Sequence, residues 1–255
     1  MDTRRAFLST ARTILQALTE LAHYRIVGNT AAIAVVSVHV LDKEKYIAPD
    51  TPAIDAIRKV GPHEFNSFSL LFDESSLIIA YSWLDAFLSE LEEALYLHDP
   101  ASLGESIQVK LGKVLTCASI DELVYDIARR RTREKGQWGL KGRIAELRDR
   151  HKLQFKVSEQ ELEWVSELRN NLVHNRRIGK YKTEKGKVRY ETTQRRQVRD
   201  RDLVQRFLSL VFQLLAELYV EGSKAMAVTA RFPQHRRNLQ FIETMKQAWP
   251  GLPGT

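Results

Sequence analysis

The segment Ser158-Glu159-Gln160-Glu161-Leu162-Glu163-Trp164-Val165-Ser166-Glu167-Leu168-Arg169-Asn170-Asn171-Leu172-Val173-His174-Asn175 decides how this chain is read. Ser158 with Glu161 three residues later has the spacing of a capping box, so a helix starts there. Leu162, Val165, Leu168, Leu172 and Val173 recur at helical intervals behind it. At 100° per residue, Leu162, Val165, Leu172 and Val173 all fall within about 60° of Arg169. A guanidinium thus stands in the middle of the apolar stripe, which is costly unless it is paired or lines a polar cleft. The position therefore marks a buried ion pair, or a site at a seam between helices or subunits.

Working outward, the flanking sequence is helical as well. Arg4 to Tyr24 reads as a helix, with Val27-Gly28-Asn29 as a break. Ala31 to Leu41 is rich in β-branched residues and fits a strand or a buried helix equally. Pro49, Pro52, Gly61 and Pro62 mark a linker-like stretch. From Asn66 a long helix runs to about Leu97 and stops before Pro100. A helix is expected near Glu105, another from the capping box Ser119-Ile120-Asp121-Glu122 to about Arg131, and a short one from Leu140 to Arg150. Lys185-Gly186, between Tyr181 and Tyr190, signals a short hairpin. Asp202 to Tyr219 is strongly amphipathic, and Trp249-Pro250-Gly251-Leu252-Pro253-Gly254 reads as a frayed end. The expected class is all-α: a helical bundle over 66–225, an N-terminal helical extension over 1–65 and a tail over 226–255.

Charge is distributed unevenly. Of the 255 residues, 39 are Lys or Arg and 32 are Asp or Glu. The window 176–201 alone holds eleven basic and three acidic residues, a net +8, leaving the remainder at −1. Such a concentrated basic element suits a polyanion. Its bland reading is a solvated loop beside an acidic neighbour. The single Cys117 excludes an internal disulfide and a cysteine-based zinc site. No uninterrupted apolar run approaches the ~20 residues of a membrane span, so a cytoplasmic location without membrane contact is expected. No glycine-rich phosphate loop, zincin pair or Glu-x-Lys signature occurs.

The chemistry gathers where the helix and the basic window meet. His174 can move a proton near neutral pH, Arg169 suits phosphate, and Asn170 and Asn171 can orient a substrate. These are the parts of metal-free RNA cleavage, with attack by the ribose 2′-hydroxyl and no cofactor. In an ideal helix His174 points some 140° from Arg169 and lies about 7.5 Å further along the axis. The two converge only if the helix ends or bends there, or if a second chain completes the site. Arg176, Arg177, Lys180, Lys182, Lys185, Lys187 and Arg189 are the expected RNA contacts, with Tyr181 and Tyr190 as stacking partners.

Arg169-Asn170-Asn171-Leu172-Val173-His174 resembles the motif of the HEPN superfamily: Arg, a polar residue, three more, then His. The order of a long early helix, shorter middle helices, motif helix and long closing helix is similar too, over residues 66–225. The resemblance implies a small all-α bundle and a metal-independent ribonuclease active as a homodimer, with Arg169, Asn170 and His174 in its catalytic cleft. It also implies a role as a toxin or phage-defence effector, with an antitoxin or other regulatory protein as a further partner. An acidic residue on an early helix sometimes assists in that family. Asp85, Glu90 and Glu92 are the candidates, and no motif selects among them. Members regulated by a nucleotidyltransferase carry a Tyr two residues after the His; Arg176 stands there, which argues against regulation by tyrosine AMPylation.

Structural readings stand beside these. Arg169 could be salt-bridged to a neighbouring helix while His174 caps a helix end. Cys117 fits a small core residue, as do His23 and His39 a core or boundary position. His63, His98, His151 and His235 fit solvated loops and helix ends, and Trp83, Trp138 and Trp164 fit packing anchors. The alternative function is a non-catalytic helical module that binds nucleic acid or a protein partner through 176–201.

Overall fold

The structure is a computed structural model, describing residues 3–43, 52–59, 62–104, 108–174, 180–184, 187–191 and 201–248. It is all-α in class, with helices α1 (Thr3–Lys43), α2 (Pro52–Lys59), α3 (Pro62–His98), α4 (Leu111–Thr116), α5 (Ile120–Lys135), α6 (Leu140–His151), α7 (Glu159–His174), α8 (Arg201–Ala225) and α9 (Pro233–Ala248). A 3-10 turn spans Pro100–Leu103. Strands β1 (Lys180–Glu184) and β2 (Lys187–Glu191) form an antiparallel hairpin that pairs Tyr181 with Tyr190 and Glu184 with Lys187.

Three long helices build the core. Phe7 of α1 stacks on Phe87 of α3 at 5.6 Å and on Tyr219 of α8 at 5.7 Å. Leu8, Ala11, Leu15 and Leu18 of α1 bury against Leu84, Leu88 and Leu91 of α3 and Phe207, Leu208, Val211 and Leu215 of α8. The buried Arg25–Asp73 pair, at 2.7 Å, with Gln205 accepting from Arg25 Nη1, ties the same three helices lower down. Gly222 lets α8 approach closely: a Cβ there would stand 2.4 Å from Leu91 Cδ1. α9 folds back over this layer, and Asn238 Nδ2 donates to the Leu8 carbonyl.

Several local expectations meet a different structure. α1 runs through Gly28 and includes 31–41 as helix; a glycine in a helix interior costs only about 1 kcal/mol. Before Gly28, its hydrophobic face from Phe7 to Leu21 joins the same cluster as α3 and α8. α3 starts at Pro62, where the missing N–H is harmless in a first turn. The capping box at Ser158 forms in full, with Ser158 N donating to Glu161 Oε2 at 2.9 Å and Glu161 N to Ser158 Oγ at 3.3 Å; at Ser119, Glu122 N donates to Ser119 Oγ while the Glu122 carboxylate accepts from Ala118 N, one residue before the cap. Cys117 is only partly buried, because its neighbours Leu111, Leu115 and Ile120 are exposed. His23 is exposed and Trp138 is 45% exposed, whereas Trp83 and Trp164 pack on the core. His235 is buried, since α9 seats its ring against Tyr219 with Nδ1 2.7 Å from the hydroxyl. Leu203–Ala225 of α8 is long and apolar enough to cross a membrane, and in this fold it is the central core helix. The expected helix start at Glu105, the Lys185-Gly186 turn and the Trp249–Gly254 end lie outside the described residues, as do His39 and His63 side chains.

Candidate functional site

The capping box at Ser158 launches α7, and its apolar stripe seats it: Leu162, Val165 and Leu172 are buried. Trp164 packs against Phe207 of α8 at 6.1 Å, and Arg206 lies 5.0 Å above the indole. Lys141 of α6 bridges Glu159 at 2.9 Å and Glu163 at 2.8 Å, clasping α6 to α7. Those bonds raise the Lys141 ammonium pKa and lower that of Glu159.

This packing presents Arg169 toward α3. Its guanidinium lies 5.3 Å from the Tyr81 ring centroid, and Nη1 donates to Asn170 Oδ1 at 2.9 Å. Arg169 is partly buried and Asn170 exposed. Among the described residues no carboxylate pairs with Arg169. The apolar position is therefore accommodated by an aromatic face and an amide, which leave guanidinium donors for a ligand. His174 is the last residue of α7 that the structure describes. The His174 side chain lies outside the described residues, as do Arg176, Arg177, Lys185 and the side chains of Lys180, Lys182, Lys187 and Arg189. The backbones of those last four stand in the hairpin, six residues and more past the helix end.

Tyr81 begins a feature absent from the sequence reading. Tyr81, Asp85, Ser89, Glu92 and Tyr96 fall at i, i+4, i+8, i+11 and i+15 on α3, a single polar stripe along about 22 Å of helix. Arg143 of α6 inserts into it. Its Nε and Nη2 donate to Glu92 at 3.1 and 3.0 Å, Nη2 to Ser89 Oγ at 3.0 Å, and Nη1 to Asp85 Oδ1 at 2.6 Å. Arg143 and Glu92 are each 1% exposed, whereas the Asp85 side chain is 53% exposed. Burial raises the Glu92 pKa, opposed by its bonds and charge attraction to Arg143.

One turn further on, Lys135 of α5 contacts the Tyr96 hydroxyl and the Glu146 carboxylate. Arg150 joins Glu146 at 3.0 Å and donates to the Ser102 carbonyl at 2.6 Å. Burial lowers the Lys135 pKa and raises that of Tyr96. Burial also works to raise Glu146, but the hydrogen bond and charge of Lys135, with Arg150 and Arg131, outweigh it and hold the carboxyl low. His151 sets its ring edge-on to Tyr96 at 5.4 Å, and burial and the nearby Lys135 depress it to about 4. It is thus a neutral, partly buried imidazole where a solvated one was expected: the end of α6 packs over Tyr96.

Of the three candidate carboxylates, Glu92 is consumed by Arg143, and Glu90 lines a separate groove with Glu93 and Asp121 beside α1 and α5. Asp85 alone is accessible on the stripe that carries Tyr81. A search of α3 for polar residues at helical spacing, rather than for apolar ones, would have found it. Among the described residues no three His, Cys, Asp or Glu side chains are grouped so as to hold a metal ion. No family model, no curated protein and no solved structure matches this chain.

Proposed function

We propose that this chain is a metal-independent endoribonuclease of HEPN type, its helices forming a HEPN-like bundle and its site built on Arg169, Asn170 and His174. The observation that carries the reading is Arg169. It occupies the apolar stripe of α7 yet is held by the Tyr81 ring and the Asn170 amide, with no carboxylate among the described residues neutralising it. A guanidinium retained at such a position without an ion pair is suited to an anion that arrives from outside.

In the proposed reaction the ribose 2′-oxygen bonds to the adjacent phosphorus as the bond from phosphorus to the 5′-oxygen breaks. His174 accepts the 2′-hydroxyl proton, and a second copy of His174, across a homodimer cleft, supplies the proton that the 5′-oxygen needs. Arg169 stabilises the charge developing on phosphorus, and Asn170 fixes the guanidinium plane. Asp85, anchored by Arg143, is the acidic residue best placed to assist. The products are a 2′,3′-cyclic phosphate and a 5′-hydroxyl. The basic 176–201 segment follows directly and would hold the RNA backbone. A cytoplasmic toxin or phage-defence effector, restrained by an antitoxin or other regulator, fits this activity.

The test is cleavage of total RNA and tRNA by purified protein in EDTA, beside His174→Ala and Arg169→Ala. Cyclic phosphate ends from the wild type, lost in both variants with folding and dimerisation intact, support the reading. Salt-sensitive RNA binding without cleavage, unaffected by either substitution, would leave the non-catalytic binding module instead.

A further inference from the structure

We infer that the groove between the start of α1 and the start of α9 is a second contact for single-stranded RNA, separate from the basic 176–201 segment; this rests on the ribonuclease reading above. The groove encloses about 590 Å³, and Arg5, Leu8, Arg231, Phe232, Pro233 and Arg237 line it. Leu8, Phe232 and Pro233 give it an apolar wall, and three arginines stand around that wall. Among the described residues no carboxylate lines it.

The charge is local and one-signed. Residues 3–19 and 225–242 together hold six arginines and no Asp or Glu, in a chain whose charge outside 176–201 is −1. Arg231, Arg236 and Arg237 are exposed, so their charge reaches solvent. Arg12 is tied across the same pair of helices, its guanidinium 4.4 Å over the Phe241 ring. A second groove at this end of α1 carries Glu90, Glu93 and Asp121 in its lining, so a polyanion is attracted to one groove and repelled from the other.

Arginine forks pair with phosphate oxygens bidentately, and an apolar wall with an aromatic ring accepts a base face. The volume lies within the range of small-ligand sites, enough for a nucleotide unit of a strand. A lipid surface fits less well. Among the described residues the large apolar side chains more than half exposed are Tyr24, Ile26, Val27, Leu111, Leu115 and Ile120, none of which lines this groove.

The experiment is fluorescence anisotropy with a labelled 12-nucleotide 2′-O-methyl RNA, which cannot be cleaved by its own 2′-hydroxyl. Wild type, Arg231→Glu/Arg237→Glu and a control, Lys110→Glu/Arg130→Glu, carrying the same charge change elsewhere, are titrated at several salt concentrations. The groove variant is expected to bind at least about tenfold more weakly than the control, with the slope of log Kd against log salt lower by about 1.4 for two lost phosphate contacts. Should the groove variant lose its far-UV circular dichroism, Arg231→Ala and Arg237→Ala, which truncate exposed side chains only, carry the comparison. Equal binding by groove variant and control overturns this inference while leaving the ribonuclease reading intact. A wild type that neither binds nor cleaves RNA overturns both. Binding of phosphatidylserine vesicles through these arginines, without competition by the oligonucleotide, assigns the groove to lipid and overturns the inference.

Discussion

Replacing Arg143 by Met tests the buried ionic chain on which α3 and α6 meet. Arg143 spends its donors on Glu92, Ser89 and Asp85 in four bonds of 2.6 to 3.1 Å. Methionine fills much of the volume but leaves Glu92 at 1% exposure without its main counter-charge. Breaking one side of a buried pair costs about 3–5 kcal/mol, whereas losing the half-exposed Asp85 contact adds about 0–1 kcal/mol. Urea unfolding followed by far-UV circular dichroism at pH 7 should show the midpoint fall by about 1–2 M. The double variant Arg143→Met/Glu92→Leu removes both charges and should recover most of the deficit, because an apolar pair of similar volume replaces a buried ionic one at little cost. The deficit of the single variant should also depend on pH. Burial already raises Glu92, and without Arg143 nothing of similar strength opposes it. The folded state then binds more protons than the unfolded state, so the single variant gains stability as pH falls from 7 toward 5. A loss under about 1 kcal/mol with no pH dependence would refute the argument, since the carboxylate would have to be solvated.

Other outcomes follow from the same geometry. Gly222→Ala should destabilise the protein by about 1 kcal/mol net in urea unfolding, because the clash with the fully buried Leu91 outweighs the gain in helix propensity; a stabilised variant would mean the α3–α8 approach is looser than described. His151, depressed to about 4 by burial and Lys135, contributes stability that is fully present above the unfolded value of 6.5 and is lost as pH falls through 4. Between pH 7 and pH 4, His151→Phe should therefore lose about 1–2 kcal/mol less than wild type, a partly buried ring giving less than its full shift; parallel pH profiles would count against it. Tyr81→Leu removes the face under Arg169 and should lower the RNA cleavage rate about two- to fivefold while leaving unfolding nearly unchanged. An unaltered rate would show that Asn170 alone positions the guanidinium.

The sequence by itself determined the helical class, the caps at Ser119 and Ser158, the starts of α5 to α8, the ends of α3 and α6, and the anomaly at Arg169. Each of these is a local matter: a cap is a contact across three residues, and a stripe is a periodicity within one helix. It also located the hairpin between Tyr181 and Tyr190, whose two short runs pair as β1 and β2. What lies between helices was not legible. Val27-Gly28-Asn29 reads as a break, yet α1 runs unbroken through it. His235 and His151 are buried by helices that fold over them from elsewhere in the chain. Asp85, Ser89, Glu92 and Tyr96 look like surface residues of an amphipathic helix until Lys135 and Arg143 arrive from α5 and α6 to neutralise them. Charges survive burial only in partnership. Their partners here lie 39 to 58 residues away along the chain, so only the tertiary structure could assign them.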